Sequence, residues 1–367
     1  MSTANEHSGL SRVPGLDLLR LVAVAAVVLY HYGFWGPASN GVPKVALPDL
    51  AFFAQYGFLG VPIFFTISGF VIAYSTEGRT PVGFAIARFS RIYPTFLFCM
   101  TLTFATVLLL GDANFKVTPA QWTANLFVAA PALGQSYVDT SYWSLVIEIV
   151  FYAWVAAFLA LGLLPRRIDI IIPVWLAACF ANELTIDAPI FEKLFVTEDS
   201  GFFAAGLLIY EHHRGRRDLA LYSIFTLAVA TSVFQAVHKL ERLGTHTGGT
   251  FDERIVVAIC LASIAVIFLV TRIQKLPLPA GLVLAAGGIT YPLYLLHMQM
   301  GYTILMAAGP VHNVGLWTAG IVAGAVVLAW ATWRFVERPA QRWIKGVLST
   351  SAARVGWRSY LTATAGS

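Results

Sequence analysis

The chain has 367 residues, 58% of them hydrophobic and only 12% charged, with a mean hydropathy of +0.72. A water-soluble fold of that length has far more polar surface to cover than this composition supplies, so a soluble globular protein is excluded. The net charge of +5 would suit a nucleic-acid partner, but its distribution follows membrane topology, which leaves no nucleic acid and a lipid bilayer as the surroundings.

Apolar runs of the length a helix needs to cross the hydrocarbon core recur throughout. They predict an all-α polytopic bundle of about ten transmembrane helices, at 16–35, 50–74, 91–110, 143–164, 168–182, 200–211, 219–237, 255–271, 281–306 and 314–334. The sixth is short and is expected to begin a few residues earlier. The first contains Arg20 and little positive charge precedes it, so it is expected to remain as a span rather than to be removed as a signal. With the N-terminus inside, seventeen of the 24 Lys and Arg residues fall on the cytoplasmic side, six on the other, and Arg20 in the membrane. The positive-inside rule then makes both termini cytoplasmic. The expected organisation is a cytoplasmic segment 1–15, a transmembrane domain 16–340 and a mobile cytoplasmic tail 341–367.

The longest connections, 111–142, 183–199 and 238–254, are expected to face outward. The first carries a candidate interfacial helix around Trp122. The second is acidic, which suits either a substrate-contacting loop or a plain connector. Cys99, Cys179 and Cys260 lie in apolar spans without a pairing pattern, and no histidine spacing indicates a metal. His212 and His213 fall in a basic connection, where a solvated role is expected.

The chemistry-bearing residues begin in LDLLRLVAVAAVVLYH, residues 16–31. Eleven residues make almost three helical turns, so Arg20 and His31 share one face, roughly 16 Å apart along the axis. Asp17 is placed to pair with Arg20. A snorkelling arginine and an interfacial histidine are one reading, and two groups lining one cavity the other. In the second span, Ser68-Gly69 suits close helix contact. Arg88 and Arg91, at i and i+3 where the third span starts, suit a phosphate site at a helix N-terminus or ordinary positive flanking. Ser144, Glu148 and Tyr152 share a face of the fourth span. Glu148 there either faces water or orients His31 as a general base. The ninth span offers Tyr291, Tyr294 and His297, with a kink expected at Pro292.

Taken in order, these pieces resemble acyltransferase family 3, the multi-span membrane O-acyltransferases. The matching residues are Asp17-x-x-Arg20 with His31, Phe64-Phe65-x-x-Ser68-Gly69-Phe70, Arg88-x-x-Arg91-Ile-Tyr93-Pro94, Trp143-Ser144-Leu145-x-x-Glu148-x-x-Phe151-Tyr152, Tyr294-Leu-Leu-His297, and Phe335-x-Glu337-Arg338-Pro339. Together they cover about residues 15–340. The resemblance implies transfer of an acyl group, most often acetyl, from cytoplasmic acyl-CoA to a hydroxyl of a surface polysaccharide or other glycan, lipid-linked in some cases, at a bacterial cytoplasmic membrane. Acyl-CoA is then a co-substrate and no cofactor is permanently bound. The resemblance also implies essential roles for Arg20 and His31 and donor-phosphate contacts for Arg88 and Arg91. One departure from the family is that Phe89 and Ser90 separate two arginines that are often adjacent. No hydrolase-like soluble domain of the kind fused to some members is expected.

The resulting expectation has acyl-CoA held by Arg20, Arg88, Arg91 and Tyr93, with His31 as base oriented by Glu148. Ser68, Tyr152 and Tyr294 are candidates for steadying the oxyanion, and Asp17, Phe65, Trp143, Ser144 and His297 for supporting the site. A covalent acyl-His31 intermediate, a lipid or macrolide acceptor, and a transporter or flippase of glycan precursors remain the alternatives.

Overall fold

The computed structural model describes residues 13–43, 48–186, 188–273 and 275–354. The expected terminal segments fall partly outside them, at 1–12 and 355–367. The described residues form an all-α bundle with no strand. Among the described residues, eight helices are long and apolar enough to cross a membrane: α1 Pro14–Ser39, α2 Leu50–Thr76, α3 Pro81–Leu110, α4 Thr140–Ala160, α5 Ile168–Ile186, α7 Leu219–Thr247, α8 Glu253–Val270 and α11 Val314–Ile344. Between them stand the short α6, Ser200–His213, and a bent pair, α9 Ala280–Leu296 and α10 Gln299–Ala307. Large apolar side chains such as Leu109, Val174, Leu269 and Val327 point outward from the bundle, as they do where lipid rather than water is the solvent.

The sixth span begins a few residues before its apolar run, with a 3-10 turn, Thr197–Asp199, that leads directly into the α-helix. That α-helix has 14 residues from Ser200, with every one from Ser200 to His212 buried. A helix enclosed on all sides is hydrophobic all round, and its neighbours, not lipid, satisfy it. α2 lies directly against it. A Cβ on Gly69 would stand 2.3 Å from the Phe203 carbonyl oxygen, and one on Gly206 would stand 2.1 Å from that of Thr66. Gly69 therefore serves the close helix contact read from Ser68-Gly69.

Three expectations change. α3 begins at Pro81, with Thr80 as its N-cap accepting from the Gly83 N–H, so Arg88 and Arg91 lie about two and about three turns inside the helix and not at its N-terminus. α9 passes through Pro292 and stops only at Leu296; the bend of 59° falls five residues later, at His297-Met298. His212 is buried against Phe268 and Tyr222, not solvated. A helix also runs through Arg338–Arg354, over part of the expected tail.

The acidic connection 183–199 is tied to α7. Glu198 takes both Arg242 guanidinium nitrogens at 2.6 and 2.8 Å, and Asp199 takes Lys239 at 2.5 Å. These pairs match a connector. Trp122, in a short helix Pro119–Asn125, donates its indole N–H to Thr101 of α3.

Candidate active site

Two cavities lie end to end through the middle of the bundle. The first, about 100 Å³, is lined by Arg20 of α1, Phe64, Phe65 and Ser68 of α2, Arg88 and Arg91 of α3, Ser144, Glu148 and Tyr152 of α4, and Thr290, Tyr291 and Tyr294 of α9, among others. The second, about 360 Å³, continues toward the end of the bundle that carries His213, Arg338 and Gln341. Arg20, Val71, Arg91 and Tyr291 line both and form the waist between them.

Each polar wall residue is placed by its own helix. Asp17, one turn before Arg20, accepts from its guanidinium at 3.2 Å. Asp17 in turn sits where α9 has Gly287, since a Cβ there would fall 2.4 Å from its Oδ1. Arg88 lies over the rings of Tyr152 and Phe84 at 5.9 and 6.0 Å, a cation–π position, and its buried Nε has no partner. Arg91 makes no hydrogen bond or ion pair among the described residues, and faces the first cavity with Arg20 and Arg88. Three guanidiniums and one carboxylate therefore line that space, a surplus of positive charge in a low-dielectric setting.

The carboxylate is Glu148, and its partners correct the expected dyad. It accepts from Ser68 Oγ at 2.9 Å and from the Tyr152 hydroxyl one turn along α4, and among the described residues it makes no bond to His31. Because Ser68 and Tyr152 both donate to Glu148, neither hydroxyl is free here to donate to an oxyanion. Tyr294 is likewise engaged, with its hydroxyl 2.7 Å from Ser144 Oγ and donating to the Ser141 carbonyl at 3.0 Å.

His31 pairs with His297 instead. His31 Nδ1 and His297 Nε2 stand 2.8 Å apart, with ring centroids at 4.9 Å, and His297 Nδ1 is 2.7 Å from the Tyr294 carbonyl oxygen. A carbonyl oxygen only accepts, so His297 Nδ1 carries the proton. With both imidazoles neutral, His297 Nε2 must then accept, and His31 Nδ1 must donate. That leaves Nε2 of His31 as a bare lone pair, the form a general base requires. Two tyrosines cross over to hold the pair: Tyr32 donates to the His297 carbonyl at 2.5 Å, and Tyr302 donates to the His31 carbonyl at 2.8 Å. His31 opens a π-helical turn, His31–Trp35, within α1, a local irregularity frequent at functional sites.

Arg20 and His31 do not line one open cavity. Val24 and Val27, between them on α1, are packed in the core, and His31 is linked to the cavity through Tyr294, which lines it and whose carbonyl holds His297. His297 is buried and His31 half-buried.

Two expected residues stand outside. Tyr93 stacks on Phe89 and donates to the Leu126 carbonyl, because two residues along a helix turn a side chain about 200° from Arg91. Trp143 is 41% exposed and only edges Phe65, itself stacked on Phe203. Sequence reasoning passed over Tyr32, Tyr302 and Asp139. Asp139 had a signal, an acidic residue just ahead of an apolar run, which is a helix N-cap pattern; the two tyrosines had none.

The profile of the acyltransferase domain family, family 3 of the acyltransferases, matches residues 13–334. Nodulation protein 10 of Rhizobium leguminosarum bv. viciae is 26% identical over 370 residues, which cover 93% of this chain and 96% of that protein. Exopolysaccharide production protein ExoZ of Rhizobium meliloti is 27% identical over 301 residues, covering 78% and 90%. The putative peptidoglycan O-acetyltransferase YrhL of Bacillus subtilis is 30% identical over 171 residues, 41% of this chain and 24% of that one. No solved structure matches the chain.

Proposed function

The chain belongs to acyltransferase family 3, and on that premise we propose that it moves an acyl group, acetyl foremost, from acyl-CoA to a hydroxyl of a surface polysaccharide or other glycan. Relatives named for exopolysaccharide production and for peptidoglycan O-acetylation support a glycan acceptor. The observation that carries the reading is the run from the Tyr294 carbonyl through His297 to His31, which leaves His31 Nε2 free to take a proton.

The bundle lies in a bacterial cytoplasmic membrane with the Arg338 end inside and the His31 end outward. Acyl-CoA enters the larger cavity from the inside. Its phosphates meet Arg91 at the waist and Arg88 just beyond it, whose guanidiniums lack ionic partners among the described residues, and its arm runs on through the first cavity toward Tyr294. The acceptor hydroxyl reaches His31 from the other end. His31 Nε2 takes the hydroxyl proton as the oxygen bonds to the thioester carbonyl carbon. The carbon–sulfur bond then breaks, and the proton leaves with the CoA thiolate. The imidazolium formed meanwhile is steadied by His297, which accepts from Nδ1. Glu148 keeps Ser68 and Tyr152 in the cavity wall and offsets part of the charge of the three arginines.

The test is transfer of label from [14C]acetyl-CoA into the glycan fraction of membranes that contain the protein. Loss of transfer in His31→Gln with acetyl-CoA binding retained is expected; turnover near that of the wild type in this variant would end the proposal.

A further inference from the structure

Asp139 is a carboxylate that the reaction above does not use and that ordinary stability does not call for. It is fully enclosed, at 0% exposure, and among the described residues no cation pairs with it. A buried carboxylate without a counter-ion is costly, and a serine or threonine caps a helix without that cost. What a carboxylate alone supplies is two acceptor oxygens on one carbon, and here they serve two different helices. Oδ1 accepts the Ser141 N–H at 2.8 Å, at the entry to α4. Oδ2 accepts the Gln299 N–H at 2.8 Å, the first of α10, where the bent span resumes after His297-Met298. Both sites are helix N-termini, where unpaired N–H groups and the helix dipole favour an anion.

From each of these helix starts a short path leads to one imidazole. Three residues beyond Gln299, the Tyr302 hydroxyl donates to the His31 carbonyl at 2.8 Å. On the other side the Ser141 carbonyl accepts from the Tyr294 hydroxyl at 3.0 Å, and the Tyr294 carbonyl accepts from His297 Nδ1 at 2.7 Å. We infer that Asp139 is a positioning residue: its two oxygens lock the start of α4 to the start of α10 and thereby hold His31 and His297 at the spacing at which they bond. The acyl-transfer role given to that pair is the reading proposed above, and this inference rests on it for its effect on rate alone.

The experiment compares wild type, Asp139→Asn and Tyr302→Phe by two readouts. The first is label transfer from [14C]acetyl-CoA in native membranes. Asn keeps one acceptor oxygen, so one helix start is released, and a shift of the order of 1 Å at a reacting group costs about 10²-fold. The expected result for Asp139→Asn is a loss of that order in kcat with the KM for acetyl-CoA within twofold of wild type. The second readout is the 15N spectrum of protein labelled at histidine, which registers protonation and hydrogen bonding of each imidazole nitrogen without any turnover. Asp139→Asn is expected to change the His31 and His297 signals, with Tyr302→Phe changing those of His31 in the same sense. Should Asp139→Asn fail to fold, Tyr302→Phe reads the same link from its far end. The double variant is expected to lose little more than the worse single one, because both act on one geometry. Unchanged imidazole signals in Asp139→Asn, or a kcat within twofold of wild type, overturn the inference. Changed signals in a protein whose wild type transfers no label leave Asp139 as the positioning residue and remove the reaction assigned to the pair.

Discussion

Replacing His297 by leucine separates the two accounts of how His31 is oriented. In the structure, His31 Nδ1–H has one side-chain acceptor, His297 Nε2 at 2.8 Å, and Glu148 is committed to Ser68 and Tyr152. In the proposed transfer His31 takes the hydroxyl proton and becomes charged, and its hydrogen bond to His297 becomes a bond from a cation. Such bonds contribute about 1.5–3 kcal/mol. At about 1.4 kcal/mol per factor of ten, His297→Leu should lower kcat roughly 10- to 150-fold. The KM for acetyl-CoA should stay within twofold, because Arg20, Arg88 and Arg91 belong to the cavity and the histidine pair does not. Label transfer at varied acetyl-CoA concentration measures both constants. Glu148→Gln is the control: its side-chain oxygen still accepts from Ser68 or Tyr152, and it should leave kcat far closer to wild type than His297→Leu does. A His297→Leu enzyme with kcat within twofold of wild type, or a Glu148→Gln enzyme with the larger loss, would refute the tautomer argument.

The remaining predictions concern charge, packing and pH. Arg88→Ala with Arg91→Ala should raise the acetyl-CoA KM about tenfold or more, since each charged contact to phosphate contributes about 1.5 kcal/mol or more, whereas Tyr93→Phe, on the far face of α3, should leave it unchanged; donor titrations decide both. Gly206→Val puts a side chain where even a Cβ would be 2.1 Å from the Thr66 carbonyl oxygen, and overpacking of this kind costs about 1–3 kcal/mol or more. A lowered melting temperature in detergent is the expected result, and an unchanged one would mean that α2 and α6 are not in contact there. Burial pushes the Asp139 carboxyl up to about 6 from the usual 3.8, against the opposing hydrogen bonds from Ser141 and Gln299. The folded state therefore binds the extra proton in that window, and the stability of wild type relative to Asp139→Asn should be greatest below 3.8 and fall as the pH rises through about 6. Melting curves of the two proteins across that range test the sign.

Composition and the recurrence of apolar runs were enough to determine an all-α membrane bundle, because a helix in lipid must satisfy its own backbone and announces itself by length and hydropathy. The ordered motifs likewise carried the family and brought Arg20, Glu148, Ser68, Ser144, Tyr152 and Tyr294 to one place. Each of these recurs on a helical face that the 3.6-residue period makes visible. The period says which side of a helix a residue takes, but not which neighbouring helix that side meets. It therefore cannot say whether Glu148 meets His31. Only the packing of α2 on α6 through Gly69 and Gly206, and the break of the ninth span at His297, decided that Glu148 meets Ser68 and that His31 meets a second histidine. That break follows from no proline; it lies where an acceptor 160 residues earlier in the chain, the Asp139 carboxylate, takes the N–H that opens the next helix. Long-range hydrogen bonds of this kind leave no local pattern in a sequence, and they are what fixed the tautomer of His31.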